Sequence, residues 1–265
     1  MKYSVLCSDL DGTLLTTKND VSEFTVAQIS RIKDAIKVFL VSARMPKSMT
    51  YLQRRLGIAE EPIICYNGAL ILDGTKEISS ITMNMDHTEE VYHIAEKLQI
   101  KLGLYHKNEW YVSDNTERVR KEIHYTQATP IFRNTTATIE DWKERKIGAH
   151  KIMLMGTKET ADNIFPRLKE KFDTRLQLYR SNDTLIELTP KSVSKLSAIE
   201  TLIQDKYTLR DIIAFGDNYN DLEMLEHVGC GVAVANAREE VKSIANHITL
   251  KNTEDGVAHF IKTHL

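Results

Sequence analysis

The chain has 265 residues, enough for one large domain or two modest ones with a substantial core. Hydrophobic residues make up 42% and charged residues 27%, an ordinary globular balance that argues against disorder. The formal net charge of −2 supplies no field to steer the chain toward nucleic acid or an anionic membrane, and no apolar run is long enough to span a bilayer.

The first element is "YSVLCSD", residues 3–9, a buried-strand pattern with no signal-peptide core ahead of it. It runs into two aspartates, Asp9 and Asp11, followed by Gly12-Thr13. Residues 22–36 carry an amphipathic helix pattern, with Val26, Ile29, Ile32 and Ile36 on one face. Residues 37–42 read as a second buried strand, and Pro46 suits the first turn of a helix ending near Gly57. A third strand, "PIICYN" (62–67), closes on the turn signal Asn67-Gly68, and "ALIL" leads to another turn at Asp73-Gly74. Short apolar strands alternating with helices predict a Rossmann-like, doubly wound parallel sheet with helices on both faces.

The middle of the chain changes style. Helical patterns at about 88–102 and 157–172 are separated by hairpin-like stretches, "LGLYHKNEWYVS" and "RLQLYRSNDTLIEL", and both tryptophans lie here. This predicts an α+β unit over 84–184, inserted into an α/β domain made of 1–83 and 185–265. The alternating style then returns. "SKLSAIETLIQDKY", "DLEMLEHV", "REEVKSIANH" and "EDGVAHFIKTHL" read as helices, and "DIIAFGD", "CGVAVA" and "ITL" as strands. Cys7, Cys65 and Cys230 lie far apart in apolar contexts and suit a reducing, cytoplasmic compartment. The nine histidines form no zinc-type pair.

In an open α/β sheet, ligands bind beyond the carboxyl ends of the strands. Asp9 and Asp11 sit after the first strand, Ser42 after the second, Asp217 after "DIIAF" with Asn220 and Asp221 close behind, and Lys195 opens a late helix. Each has an ordinary reading alone: an Asx turn, a helix cap, a solvated lysine. Together, Asp9, Asp11, Asp217 and Asp221 would crowd four carboxylates into one volume, a conflict that a divalent cation resolves. Oxygen-only donors point to Mg²⁺.

The ordered set "DLDGT", "VSAR", "SKLSAI" and "GDNYND" resembles the motifs of haloacid dehalogenase superfamily phosphatases. "YNGALI", "IELTPKSVSK", "VAVANAREEVKSIA" and "NTEDGVAHFI" extend the resemblance to the Cof-type branch, subfamily IIB, whose core carries an inserted α+β cap of the C2 kind. The resemblance implies a phosphomonoester hydrolase acting on small phosphorylated metabolites, sugar phosphates first among them. Asp9 would be the nucleophile that forms an aspartyl phosphate, and Asp11 the acid and base, a task that calls for a raised pKa. Asp9, the Asp11 carbonyl and Asp217 would hold Mg²⁺, with Asp221 orienting Lys195 or a metal-bound water. Lys195, Ser42, Asn220 and the backbone N–H groups of Leu10, Gly12 and Ala43 would bind phosphate, and Arg44 is placed to touch substrate.

Two departures from the family pattern are visible. Ser42-Ala43-Arg44 stands where Thr-Gly-Arg is usual, and Leu196 follows the motif lysine in place of glycine. Neither removes a charged group. Candidates for substrate choice in the cap are His106, Trp110, Tyr111, Arg133, Tyr179 and Arg180, each of which packing alone could also explain. A phosphotransferase or mutase on the same scaffold, or a non-catalytic phosphometabolite-binding protein, stays open at this level. Nothing suggests a nucleic-acid or membrane partner, and a monomer is expected.

Overall fold

Val5–Ser8 forms β1, buried along its whole length, and α1 (Glu23–Ile32) follows, capped by Ser22, whose side chain accepts from the Thr25 N–H. Next come β2 (Lys37–Val41) and α2 (Lys47–Leu56), which starts after Pro46 and stops at Gly57, then β3 (Ile63–Cys65), β4 (Leu70–Asp73) and β5 (Lys76–Ser80). These coordinates are a computed structural model that describes every residue except Met1, Lys18 and Asp205. An inserted stretch holds α3 (Met85–Glu96), β6 (Lys101–His106), β7 (Glu109–Val112), α4 (Glu117–Thr126), β8 (Ile131–Phe132) and α5 (Thr135–Arg145). It continues through β9 (Lys151–Met155), α6 (Lys158–Phe172), β10 (Leu176–Asn182) and β11 (Leu185–Pro190). The chain closes with α7 (Lys195–Ile203), β12 (Ile212–Gly216), α8 (Leu222–His227), β13 (Cys230–Ala233), α9 (Glu239–Ile244), β14 (His247–Ile248) and α10 (Gly256–His264).

Two compact units result, residues 1–79 with 194–265 and residues 80–193. In the larger, eight strands run in the order β14-β13-β12-β1-β2-β3-β4-β5. Pairing is parallel from β14 across to β3 and antiparallel between β3 and β4. The helices fall into two groups, α1 with α2 and α10, and α7 with α8 and α9. β1 is flanked by β2 on one side and by β12, from the far end of the chain, on the other. The strand order therefore reverses at β1, and a crevice opens beyond its carboxyl end, just where Asp9 lies.

The inserted unit is a six-stranded sheet, β10-β11-β9-β6-β7-β8, packed on one face by three helices. Val91 and Ala95 of α3, Ile139 and Trp142 of α5, and Ile164, Leu168 and Phe172 of α6 meet Leu102, Leu104, Ile152, Leu154, Ile186 and Leu188 of the sheet. The alternation of those strand residues is the period-2 pattern of a sheet with one helix-covered face.

Several expected boundaries move. β11 belongs to the smaller sheet, so the inserted unit extends past 184 to 193, and it begins at residue 80, earlier than the expected 84. The helix expected over 88–102 ends at Glu96, because Gln99 takes the left-handed conformation (φ 54°) and Lys101 begins β6. Likewise α1 stops at Ile32, and Ile36 is buried from the turn that follows it. The last strand is His247–Ile248 where "ITL" was expected. Among the described residues, no helix is long and apolar enough to cross a membrane.

Candidate active site

β1 delivers Asp9 to the crevice with its N–H bonded to the Phe215 carbonyl at 3.0 Å, which aligns the ends of β1 and β12. Lys195, the first residue of α7, is buried, and its Nζ donates to Asp9 Oδ1 and to Asp221 Oδ1, each at 2.6 Å. Ser194 caps that helix by accepting from the Ser197 N–H, so the lysine is held at a defined height. Asp221, also fully buried, accepts with its other oxygen from the Asp217 and Asn218 N–H groups at 2.9 and 3.0 Å. Both of its oxygens are thus committed to shaping the site. Asp217 Oδ1 accepts from the Thr13 hydroxyl at 3.0 Å.

Asp9, Asp217 and Asp221 each place a carboxylate oxygen within 4.8 Å of the others. Burial pushes the Asp9 carboxyl up to about 7, with Lys195 opposing the shift and Asp221 and Asp11 adding to it. Burial likewise pushes Asp217 up to about 8, reinforced by Asp9 and Asp221. Burial alone would lower the Lys195 ammonium, but Asp221 and Asp9 outweigh it and hold the lysine charged. One ammonium faces three carboxylates, so two negative charges go uncompensated, and a proton on Asp9 or Asp217 relieves one of them. A small divalent cation would relieve them too, and every available donor is a hard oxygen, so the residues fit Mg²⁺.

The loop after β1 is shaped for close approach. Gly12 has φ 85°, and a Cβ there would stand 2.6 Å from Asp217 Oδ2, so only glycine lets this backbone reach the acidic cluster. The Gly12 carbonyl accepts from Asn236 Nδ2 at 2.8 Å, Asn236 Oδ1 accepts from the Asn252 N–H, and Asn252 Nδ2 reaches the Leu15 carbonyl. "ANAREE" and "NTEDG" are therefore the splints of the catalytic loop, a part that sequence reasoning missed because the partners lie more than two hundred positions away.

The structure gives Asp11 and Arg44 to one another. Arg44 Nε and Nη2 donate to the two Asp11 oxygens at 2.7 Å each, a bidentate fork, while Arg44 Nη1 reaches the Ser48 carbonyl and the Tyr51 hydroxyl. Arg44 is buried and Asp11 half exposed. The guanidinium edge expected to meet substrate is occupied by the chain's own carboxylate. Ser42 is buried at the end of β2 with its Oγ accepting from the Arg44 N–H at 3.2 Å, and Asn220 Nδ2 donates to Asn67 Oδ1 at 3.0 Å. Leu10 is buried, and Ala43 lies between Ser42 and Arg44 in the same short turn.

In the inserted unit the six candidate side chains are engaged locally. His106 Nδ1 meets the Gly148 carbonyl at 2.8 Å, Trp110 stacks on Tyr105, and the Tyr111 hydroxyl donates to Glu109. Arg133 pairs with Asp141 and covers the Tyr111 ring, Arg180 pairs with Asp162, and Tyr179 is half-buried on β10. Packing and pairing account for most of them.

Comparison with known proteins shows the family and the fold. Residues 6–261 match the family model for haloacid dehalogenase-like hydrolases. A Haemophilus influenzae protein named provisionally as a phosphatase is 34% identical over 264 residues, covering 97% of each chain. A Bacillus subtilis 5-amino-6-(5-phospho-D-ribitylamino)uracil phosphatase is 32% identical, with 99% of this chain and 98% of that one covered. Among solved structures, a haloacid dehalogenase-like hydrolase from Bacteroides thetaiotaomicron superposes over the full length of both chains with a TM-score of 0.90 at 26% identity. A subclass IIB sugar phosphatase shares the fold, with a TM-score of 0.82 at 22% identity over 98% of each chain.

Proposed function

This chain belongs to the haloacid dehalogenase-like hydrolase family and is a phosphatase, and from that premise we propose that it hydrolyses small phosphorylated metabolites, sugar phosphates first, through an aspartyl-phosphate intermediate and with Mg²⁺. The observation that carries the metal is the surplus of negative charge: three carboxylates around one ammonium, all from oxygen donors. Asp9, the Asp11 carbonyl and Asp217 would hold the ion, since both Asp221 oxygens are spent on Lys195 and on the 217–218 backbone. When bound, Mg²⁺ supplies positive charge that lets an anionic phosphate approach an anionic nucleophile.

The chain's own groups then divide the work. A carboxylate oxygen of Asp9 bonds to phosphorus as the bond from phosphorus to the leaving oxygen breaks, and that oxygen takes a proton from Asp11. Water next attacks the aspartyl phosphate, gives its proton to Asp11, and releases inorganic phosphate with Asp9 regenerated. Lys195 holds Asp9 in place at 2.6 Å and meets charge on the phosphate, with Ser42, Asn220 and the backbone N–H groups of Leu10, Gly12 and Ala43 as further donors. Both Asp11 oxygens are held in the Arg44 fork, so to give or take a proton Asp11 must turn out of it. The inserted unit would set substrate choice. Buried, free Cys7, Cys65 and Cys230 support a reducing, cytoplasmic setting.

The test is phosphate release from a panel of phosphorylated metabolites, with and without EDTA. Turnover on sugar phosphates that EDTA abolishes and Mg²⁺ restores is expected. Turnover indifferent to EDTA would remove the metal from the reading, and activity confined to phosphates of aromatic or heterocyclic alcohols would remove the sugar.

A further inference from the structure

Outside the Gly12 loop, the turn Tyr66-Asn67-Gly68 holds three successive residues at positive φ, 53°, 56° and 105°. All three are buried, and tyrosine in this conformation is a steric outlier that only surrounding structure can maintain. The surroundings are the mouth of the crevice. The Tyr66 N–H donates to the Arg44 carbonyl at 3.2 Å and the Asn67 N–H to the Ser42 carbonyl at 3.0 Å. A Cβ on Gly68 would collide with the Ser194 carbonyl, so the turn lies directly against the residue that caps the Lys195 helix. Asn67 Oδ1 then accepts from Asn220 Nδ2 at 3.0 Å. One left-handed turn thus touches the Ser42 loop, the start of α7 and the loop after β12.

We propose that Asn67 is a positioning residue for the phosphatase reaction, acting through Asn220. Its side-chain oxygen selects the rotamer in which Asn220 Nδ2 points into the crevice, commits one Nδ2 hydrogen to itself and leaves the second for a phosphate oxygen. Without that acceptor the amide can flip, presenting Oδ1, which repels the phosphate. The left-handed backbone at 66–68 is the means by which the end of β3 contributes to the site. This inference rests on the reading of Asn220 as a phosphate ligand.

The experiment is a double-mutant cycle on an aryl phosphate with Mg²⁺, using Asn67→Gly, Asn220→Ala and the pair. Glycine keeps the positive φ and the N–H to Ser42 while removing Oδ1. Asn67→Gly is expected to lower kcat/KM by about tenfold, and to weaken competitive inhibition by inorganic phosphate by a similar factor. The double variant should equal Asn220→Ala within about twofold, because the two residues act as one. Losses that multiply, or an Asn67→Gly enzyme within about twofold of the unaltered one, overturn the proposal. A harmless Asn220→Ala overturns instead the phosphate role of Asn220 and leaves the phosphatase reading to the phosphate-release panel. Asn67→Ala, which also lacks Oδ1, should match Asn67→Gly in kcat/KM; if neither variant folds, Asn67 serves stability alone and the proposal fails.

Discussion

The two units bury ionisable groups in opposite ways. In the larger one, Asp9, Asp217, Asp221 and Lys195 are packed together with a surplus of negative charge. In the inserted one, His150 is buried as a neutral ring: its Nδ1 accepts from the Lys107 N–H at 3.2 Å and its Nε2 lies 3.0 Å from the Ser80 hydroxyl. Burial pulls its pKa down to about 3, with His106 and Lys107 adding to the effect. One unit holds a surplus of one charge; the other buries His150 as a neutral ring and sets its buried Lys151 against Glu187. A buried charge left unbalanced is costly, so the imbalance marks where a ligand belongs.

The strongest break of this contrast is Asp9→Asn, which keeps the shape and removes the nucleophile. Hydrolysis of an aryl phosphate should fall by about a thousandfold or more, with circular dichroism unchanged. Undiminished turnover would sink the covalent scheme. Next is Lys195→Met, which strips from buried Asp9 and Asp221 the one cation they share among the described residues and should cost about 3–5 kcal/mol of stability besides abolishing turnover. Full stability of that variant in urea would mean the carboxylates are not held as charges.

The pH dependence of stability should then have opposite signs in the two units. Asp9 and Asp217 have folded values near 7 and 8 against about 4 when unfolded, so between those limits the folded state binds more protons. Metal-free, that site loses stability as pH rises through 7 to 8, and added Mg²⁺ should raise the melting temperature more at pH 8 than at pH 5, where protons compete. His150 is the reverse. Its unfolded form takes a proton near 6.5 and its folded form only near 3, so its contribution is complete above about 6.5 and lost as pH falls toward 3. Trp110 and Trp142 are the chain's two tryptophans and both lie in the inserted unit, so their fluorescence follows that unit alone. By that signal, His150→Gln should flatten the acid slope by up to about 1.4 kcal/mol per pH unit. An equal slope in both proteins would show that His150 does not titrate as a buried ring.

Much of the larger unit was legible because its signals are local. Strand ends carrying Asp9, Ser42 and Asp217 announce themselves by an apolar run that stops at a polar turn. What stayed hidden are bonds between distant positions, such as the Arg44–Asp11 fork and the splinting of Gly12 by Asn236. The inserted unit was less legible. α4 buries only Val119 and Thr126, and α5 only Thr138, Ile139 and Trp142, stripes too thin to stand out as helical periodicity. The end of α3 was hidden for another reason: its left-handed residue near the exit is Gln99, where a glycine would have signalled the stop.

The position of β12 has a consequence for how the protein is made. β1 pairs with β2, its near neighbour in the chain, and with β12, some two hundred residues later. As the chain leaves the ribosome, β1 waits with one edge bare until the whole inserted unit has emerged, while that unit, being continuous, has every strand it needs to close on itself. The crevice beyond β1 is therefore completed only late in synthesis. A chain cut just after Val193 carries the whole insert and an open, aggregation-prone sheet edge, with Asp9 in place and nothing opposite it.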